Sequence, residues 1–263
     1  MKELKQLFKP GVEVQTKRFY KAVDNLPRPK RLFNVDRNAK TVKGRKRQYM
    51  TAILYLAPAK TSGYQTCPKA SEGCKEACLN TAGHGAMHVN QIRRIRKTRY
   101  FFQQRQDFML HLERELAHLT KKAAREGMEL VVRLNGTSDI LWEHMSFTGK
   151  DGETYASLMD RFPELQFYDY TKHEKKRRLP VNYDLTFSAT EANDNAARLA
   201  LAAGTNVAVV FRGVVPGKFW GATTLDGDKD DLRFLDKKGG RIVALKAKGK
   251  ARYDESGFVK EVN

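Results

Sequence analysis

The sequence predicts an α/β protein in which parallel strand–helix units form a partial or TIM-like barrel, preceded by a basic N-terminal arm. Three observations carry this expectation. Short apolar runs alternate with helical patterns along the chain, the first fifty residues are basic and broken by Gly and Pro, and a cysteine cluster follows directly behind the first apolar run. Alternation of strands and helices argues for a parallel sheet with right-handed crossovers, because each parallel neighbour needs a connection long enough to cross a face.

The elements follow in order. Residues 1–49 read as the arm, and residues 50–263 as an α/β domain that carries a metal and the catalytic site. Met50-Thr51-Ala52-Ile53-Leu54-Tyr55-Leu56 reads as a buried strand. A helical region over 90–125 has apolar positions three and four residues apart, with Asp107 expected to cap its second segment and Gly127 to end it. Strands are expected over 130–134, 165–170, 185–187, 206–211 and 241–246. A short helix is expected over 154–159, and Ser188 with Glu191 suggests a capping box opening a helix that runs to about Ala203.

The formal net charge is +19, from 49 Lys and Arg against 30 Asp and Glu. Fifteen Lys and Arg against four Asp and Glu lie within residues 1–50, so the arm holds +11 of it. Such an excess repels itself in a compact chain, so it points to a polyanionic partner, first of all nucleic acid. Arg45, Lys46 and Arg47 close the arm. Arg93, Arg94, Arg96, Lys97, Arg99 and Arg105 form a run without an acid, interleaved with Tyr100, Phe101 and Phe102. These are the candidate contacts to phosphates. No apolar run approaches bilayer length and no secretory leader is evident, so the expected compartment is the cytoplasm, with no membrane partner. Oligomeric state is not legible.

Three cysteines, Cys67, Cys74 and Cys78, fall within twelve residues. An odd, clustered set does not suit a disulfide framework and reads as metal ligands. Cys74 and Cys78 are four apart, so a helix would put both thiolates on one face. Zinc fits if His84 or His88 supplies a fourth ligand, and a 4Fe–4S cluster fits on three cysteines alone. The loop lies at the C-terminal side of the first strand, where ligands bind in parallel α/β folds.

Polar residues gather at the same side of later strands. Asn135, Ser138, Asp139 and Trp142 follow the second; Tyr168, Asp169 and Lys172 close the third; Arg212 closes the fifth. Carboxylates there suit nucleophilic or proton-transfer work, and aromatic residues suit stacking on a base. Asp169 and Asp139 are the candidate catalytic pair; Asn135, Ser138, Trp142, Tyr168, Lys172 and Arg212 are candidate substrate contacts. The acidic stretch from Asp226 to Asp231 lacks the Gly and Glu of a calcium loop and reads as an acidic turn.

In their order along the chain, residues 54–59, 67–85, 133–143, 167–172, 207–213 and 226–236 resemble a family of small phage-encoded proteins described as gene product eighty-eight-like. The chain also resembles the phage branch of the DNA deazaguanine transglycosylases, the DpdA-like enzymes. That resemblance implies a TIM-type barrel, an aspartate nucleophile, a structural zinc site and exchange of guanine for a deazaguanine in double-stranded DNA of an infected cell, with the free base as small-molecule partner. In that family the zinc cysteines lie near the end of the chain, whereas here they come early. A three-cysteine loop behind the first strand of a six-unit partial barrel also resembles radical S-adenosylmethionine enzymes, which implies a 4Fe–4S cluster and S-adenosylmethionine; their usual three-then-two cysteine spacing is absent here. A DNA-binding protein with a structural metal and no catalysis is the third reading.

Overall fold

All six expected strands form in the computed structural model, which describes residues 2–174 and 178–262. In chain order the strands are β1 (Phe33–Val35), β2 (Tyr49–Leu54), β3 (Glu129–Arg133), β4 (Phe147–Thr148), β5 (Thr154–Tyr155), β6 (Gln166–Thr171), β7 (Tyr183–Ser188), β8 (Val207–Arg212), β9 (Lys218–Phe219), β10 (Ala222–Asp226), β11 (Ile242–Lys246) and β12 (Val259–Glu261). The helices are α1 (Lys2–Leu7), α2 (Lys17–Asp24), α3 (Ala39–Arg45), α4 (Glu72–Glu76), α5 (His88–Gln103), α6 (Arg105–Arg125), α7 (Leu158–Arg161) and α8 (Asp194–Ala202).

The expected strands are β2, β3, β6, β7, β8 and β11. They lie side by side in that order and every pair is parallel. Such an order has no reversal point, so all strand C-termini open to one end. β1 adds antiparallel to β2 at one edge, and β10 and β9 extend the other edge beyond β11. No pairing joins the two edges among the described residues, so the structure is a large, mostly parallel sheet and not a closed barrel. β7 pairs β8 only through Phe187 and Ser188, and β12 then pairs along the last three residues of β8.

Alternation along the strands sets two faces. Met50, Ala52, Leu54, Leu130, Val132 and Phe167 pack in one core with Phe101, Phe108, Leu112 and Leu116 of α5 and α6. The period-3.6 pattern of those helices buries one stripe each. The helical region divides at Gln104, whose φ of −138° and ψ of 57° leave helical space. Asp107 does not cap α6. It sits in the first turn and accepts from the Tyr100 hydroxyl at 2.9 Å. Thr154–Tyr155 pairs with Phe147–Thr148 as a small hairpin, and the expected helix there is confined to α7.

The opposite face is covered by the chain between β10 and β11. Leu232 packs on Val131 and Tyr168, with Phe234 beside Tyr49. Arg133 Nη1 donates to both Asp231 oxygens, at 2.8 and 3.1 Å. Arg233, only 2% exposed, lies between Asp230 and Asp236. The acidic stretch is therefore a set of buried ion-pair partners rather than a solvated turn. It also reaches the start of the sheet: Lys40 on α3 donates to the Gly227 carbonyl and pairs with Asp228, and Arg47 pairs with Asp230. Gly227 directly follows β10, so this connection links α3, before β2, to the far end of the sheet.

The first fifty residues are not a loose arm. β1 belongs to the sheet, and Phe8, Phe19 and Val23 bury against Ala57, Ile92 and Ile95. The Glu115 carboxylate accepts from the Leu32 and Phe33 backbone N–H groups, at 2.7 and 3.2 Å. Enough apolar residues sit among the charges for the segment to dock. Glu115→Ala leaves two buried donors unpaired and should cost about 1–3 kcal/mol. Limited proteolysis should then cut near residue 30 faster than in wild type; unchanged cleavage would show that Glu115 does not hold the segment.

Candidate functional site

The cysteine loop occupies the open end of the sheet, behind β2. Its first thiol is set by main-chain contacts. The Ala59 N–H donates to Cys67 Sγ at 3.4 Å, the Thr66 hydroxyl donates to the Ala57 carbonyl, and Asp139 N–H donates to the Thr66 carbonyl at 2.8 Å. The loop is thereby tied to the turn behind β3. Gly136 permits that approach, since a Cβ there would lie 2.8 Å from the Leu54 carbonyl and closer still to Tyr55 and Ile53.

Cys74 lies on α4, which Ser71 caps by accepting from the Cys74 N–H. Glu191 clamps this helix start: its carboxylate accepts from the Ser71 hydroxyl and the Gly73 N–H, both at 2.8 Å. Glu191 is thus not part of a capping box for α8, which begins after Asn193. At Gly73 a Cβ would come within 2.0 Å of Ser256 Oγ, so only glycine lets the C-terminal segment lie against the loop. Cys78 is not on the same helix as Cys74. The helix stops at Glu76, and Cys78, at φ −56° and ψ 134°, opens a short turn whose Asn80 N–H meets its sulfur.

The three thiols nevertheless stand in one field. Burial pushes the Cys78 thiol up to about 12, with Cys67 and Cys74 adding to the rise. Burial likewise raises Cys67. Lys172 is the compensating cation. Burial pulls its ammonium down, but Cys74, to which it hydrogen-bonds, together with Asp139 and Cys67, holds it above the ordinary lysine value. Arg94 lies over the Tyr55 ring, 4.8 Å from its centroid, and within reach of Cys78.

Asp139 joins this group. It is 5% exposed; Oδ2 accepts from the Lys172 N–H at 2.9 Å, and Oδ1 is buried with no hydrogen-bond partner among the described residues. A buried carboxylate oxygen is costly to leave unpaired, and this one lies within electrostatic reach of Lys172 and Cys67. As placed, no group of three or more His, Cys, Asp or Glu among the described residues forms a shell that could hold a metal ion. His84 and His88 are both exposed, and His88 packs against Phe8.

Asp169 is elsewhere. It is fully buried, and its carboxylate accepts from the Leu134 N–H (3.2 Å), the Asn135 N–H (2.9 Å) and the Tyr183 hydroxyl (3.0 Å). Burial pushes its carboxyl up to about 7, although Arg133 and these donors pull it down. It pins the end of β3 to β6. Asn135, Ser138 and Trp142 form a second internal knot: Asn135 Oδ1 accepts from the Ser138 hydroxyl, the Ile140 N–H and the Trp142 indole. Tyr168 is fully buried on the ion-paired face, its hydroxyl 3.3 Å from Asp231. Arg212 donates to the Arg252 and Asp254 carbonyls and pairs with Glu261, holding the C-terminal segment. Of the residues expected at the site, the structure gathers Cys67, Cys74, Cys78, Asp139 and Lys172. Ser71 and Glu191 belong with them and were not anticipated, because Ser188 and Glu191 also fit a helix cap.

The basic run is largely occupied. Lys97 is buried, donates to the Leu32 carbonyl and is lowered to about 8 by burial. Arg99 pairs with Asp24 at 2.6 Å, and Arg94 donates to Asn80. Arg105 lies over Phe101, whereas Arg93 is exposed and Arg96 half-buried. Arg45 pairs with Asp36 and Glu126, and Lys46 is exposed. Much of this charge docks the N-terminal segment. No helix among the described residues is long and apolar enough to cross a membrane.

The family model described as Gene product 88 matches residues 31–261. No curated protein and no solved structure matches the chain.

Proposed function

The chain belongs to the gene product 88 family, and we propose that it is a nucleic-acid-modifying enzyme whose three thiols hold an iron–sulfur cluster at the open end of the sheet. The observation that carries this reading is the convergence of Cys67, Cys74, Cys78, Lys172 and the unpartnered Asp139 oxygen behind the parallel strands. The donor set fits the group in kind, three thiols on one loop. Three thiols within one another's electrostatic reach on one loop match in number the three cysteines such a cluster uses, and binding would have to draw them together, since as placed no group of three ligands among the described residues forms a shell. When bound, such a cluster leaves one iron open and supplies one-electron chemistry, with S-adenosylmethionine as the co-substrate of this reading.

The chain's own residues do the rest. Ser71 and Glu191 orient the loop that carries Cys74. Lys172 offsets the negative charge of the thiolates, which lowers the cost of burying them. Asp139 Oδ1 can accept a hydrogen bond from an amine or base edge and so orient it. The net charge of +19 supports a nucleic-acid substrate. Exchange of guanine in DNA is the other chemistry in view. It would have to run through Asp139, because Asp169 is closed in by three donors. A structural metal in a DNA-binding protein would leave the unpartnered Asp139 oxygen unused.

The test is nucleoside analysis of duplex DNA after anaerobic incubation with the protein, a reductant and S-adenosylmethionine. A modified nucleoside should form, and Asp139→Asn should slow its formation about a hundredfold with iron content unchanged. Release of labelled guanine without reductant would replace this reading with base exchange, and no product under either condition would remove catalysis.

A further inference from the structure

The structure carries a second basic surface, away from the thiols. A groove of about 500 Å³ runs between β1 and α6. Lys30, Arg31, Arg37, Arg45, Arg114 and Lys122 line it, against two acids, Asp36 and Glu115. Both acids are committed to the protein. Glu115 receives the Leu32 and Phe33 N–H groups, and Asp36 receives Arg45 and the Thr51 N–H. Lys30, Arg31, Arg37 and Arg114 are exposed and make no ion pair among the described residues.

We propose that this groove binds the phosphate backbone of duplex nucleic acid. Arg114, His118 and Lys122 recur every four residues on α6, so they form one stripe that advances about 6 Å per step. The facing cations come from the chain around β1, an edge strand with no neighbour on its outer side among the described residues. Two basic rims facing each other across a groove suit a charged rod better than a small anion. The lining also lacks a stacking platform: apart from two histidines its one aromatic is Phe33, which is buried. Single-stranded nucleic acid is gripped by exposed aromatics, whereas duplex backbone needs only charge and hydrogen-bond donors. The inference extends the nucleic-acid half of the proposed function and is independent of what the thiols hold.

The test measures duplex DNA affinity against salt concentration for the full chain. In the Arg31→Ala, Arg37→Ala, Arg114→Ala variant, the slope of log affinity against log salt should become shallower by roughly two to three, about 0.9 for each phosphate no longer neutralised. A variant of equal charge change, Lys9→Ala, Lys17→Ala, Lys21→Ala, alters exposed lysines outside the groove and should leave the slope near wild type. A matched RNA duplex shows which polymer the groove prefers. Equal flattening of the slope in both variants, or an unchanged slope in the groove variant, would overturn the groove while leaving a nucleic-acid substrate standing. Wild type that binds only single strands, or no nucleic acid, would overturn the groove as well, and the second result would also remove the substrate. Metal content of the groove variant should match wild type, which separates these failures from a failure of the thiol site.

Discussion

Asp169→Asn should destabilise the protein by about 1–3 kcal/mol, the scale for leaving a buried hydrogen-bond donor without its acceptor. The substitution is often chosen to test a nucleophile because it keeps shape and removes charge. Here it does more. One carboxylate oxygen faces the Asn135 N–H, and the other faces the Leu134 N–H and the Tyr183 hydroxyl. An amide must turn its NH₂ towards one of those donors, so a repulsive contact replaces a hydrogen bond. It also leaves Arg133, 3.9 Å away, with Asp231 as its remaining carboxylate. For a chain of this size the melting temperature should fall by roughly 5 °C. The pH dependence gives a second signature. Burial raises the Asp169 carboxyl from 3.8 to about 7 in the folded protein. Its contribution to stability is therefore fully present below about pH 4 and is lost as pH rises towards 7, because the unfolded chain releases the proton first. The Asn variant should lack that part of the pH profile. A variant as stable as wild type at every pH, but inactive, would return Asp169 to the role of nucleophile.

The fold was legible where local pattern and tertiary need agree. The six parallel strands are apolar runs, and those over β2, β3 and β8 are rich in Val, Ile and Leu because both faces of the sheet are covered. β1, β9, β10 and β12 are short or polar pieces: β9 and β10 form a tight hairpin, whereas β12 reaches β8 from far along the sequence. The acidic stretch misled for a related reason. Asp230 and Asp231 sit in a polar stretch, yet they are buried because Arg47 and Arg133 come from other elements to meet them, and Arg233 pairs with Asp230 from three residues further on. The basic leader misled through its charge count, while Phe8, Phe19 and Val23 carried the docking signal.

At the site, the cysteine spacing drew attention to the right loop, and Asp139 and Lys172 stood out as strand-end residues. Asp169 stood out by the same rule, but a strand end can be an anchor as readily as an active group, and only its partners decide. Glu191 was hidden because its use is long-range, 118 residues from Gly73. Trp142 looked like a stacking residue, but the Asn135 carbonyl draws its indole inward.

The thiol site rests on one structural circumstance: three half-buried cysteines on one loop lie within electrostatic reach of one another and of Lys172. Burial, with the neighbouring thiols adding to it, raises Cys78 to about 12, which disfavours its bare thiolate. Bound iron would reverse that cost, as metal coordination deprotonates a thiol outright. Each cysteine is therefore expected to be needed, since losing one removes a ligand and leaves the other two without a shared cation. The most direct measurement is iron and acid-labile sulfide per chain, with the absorption spectrum, in protein purified anaerobically. Wild type should be brown and hold about four irons per chain, and Cys67→Ala, Cys74→Ala and Cys78→Ala should each fall to background while remaining folded by circular dichroism. Colourless wild type that takes up no iron on anaerobic reconstitution, or full iron content in any one of the three variants, would contradict the account.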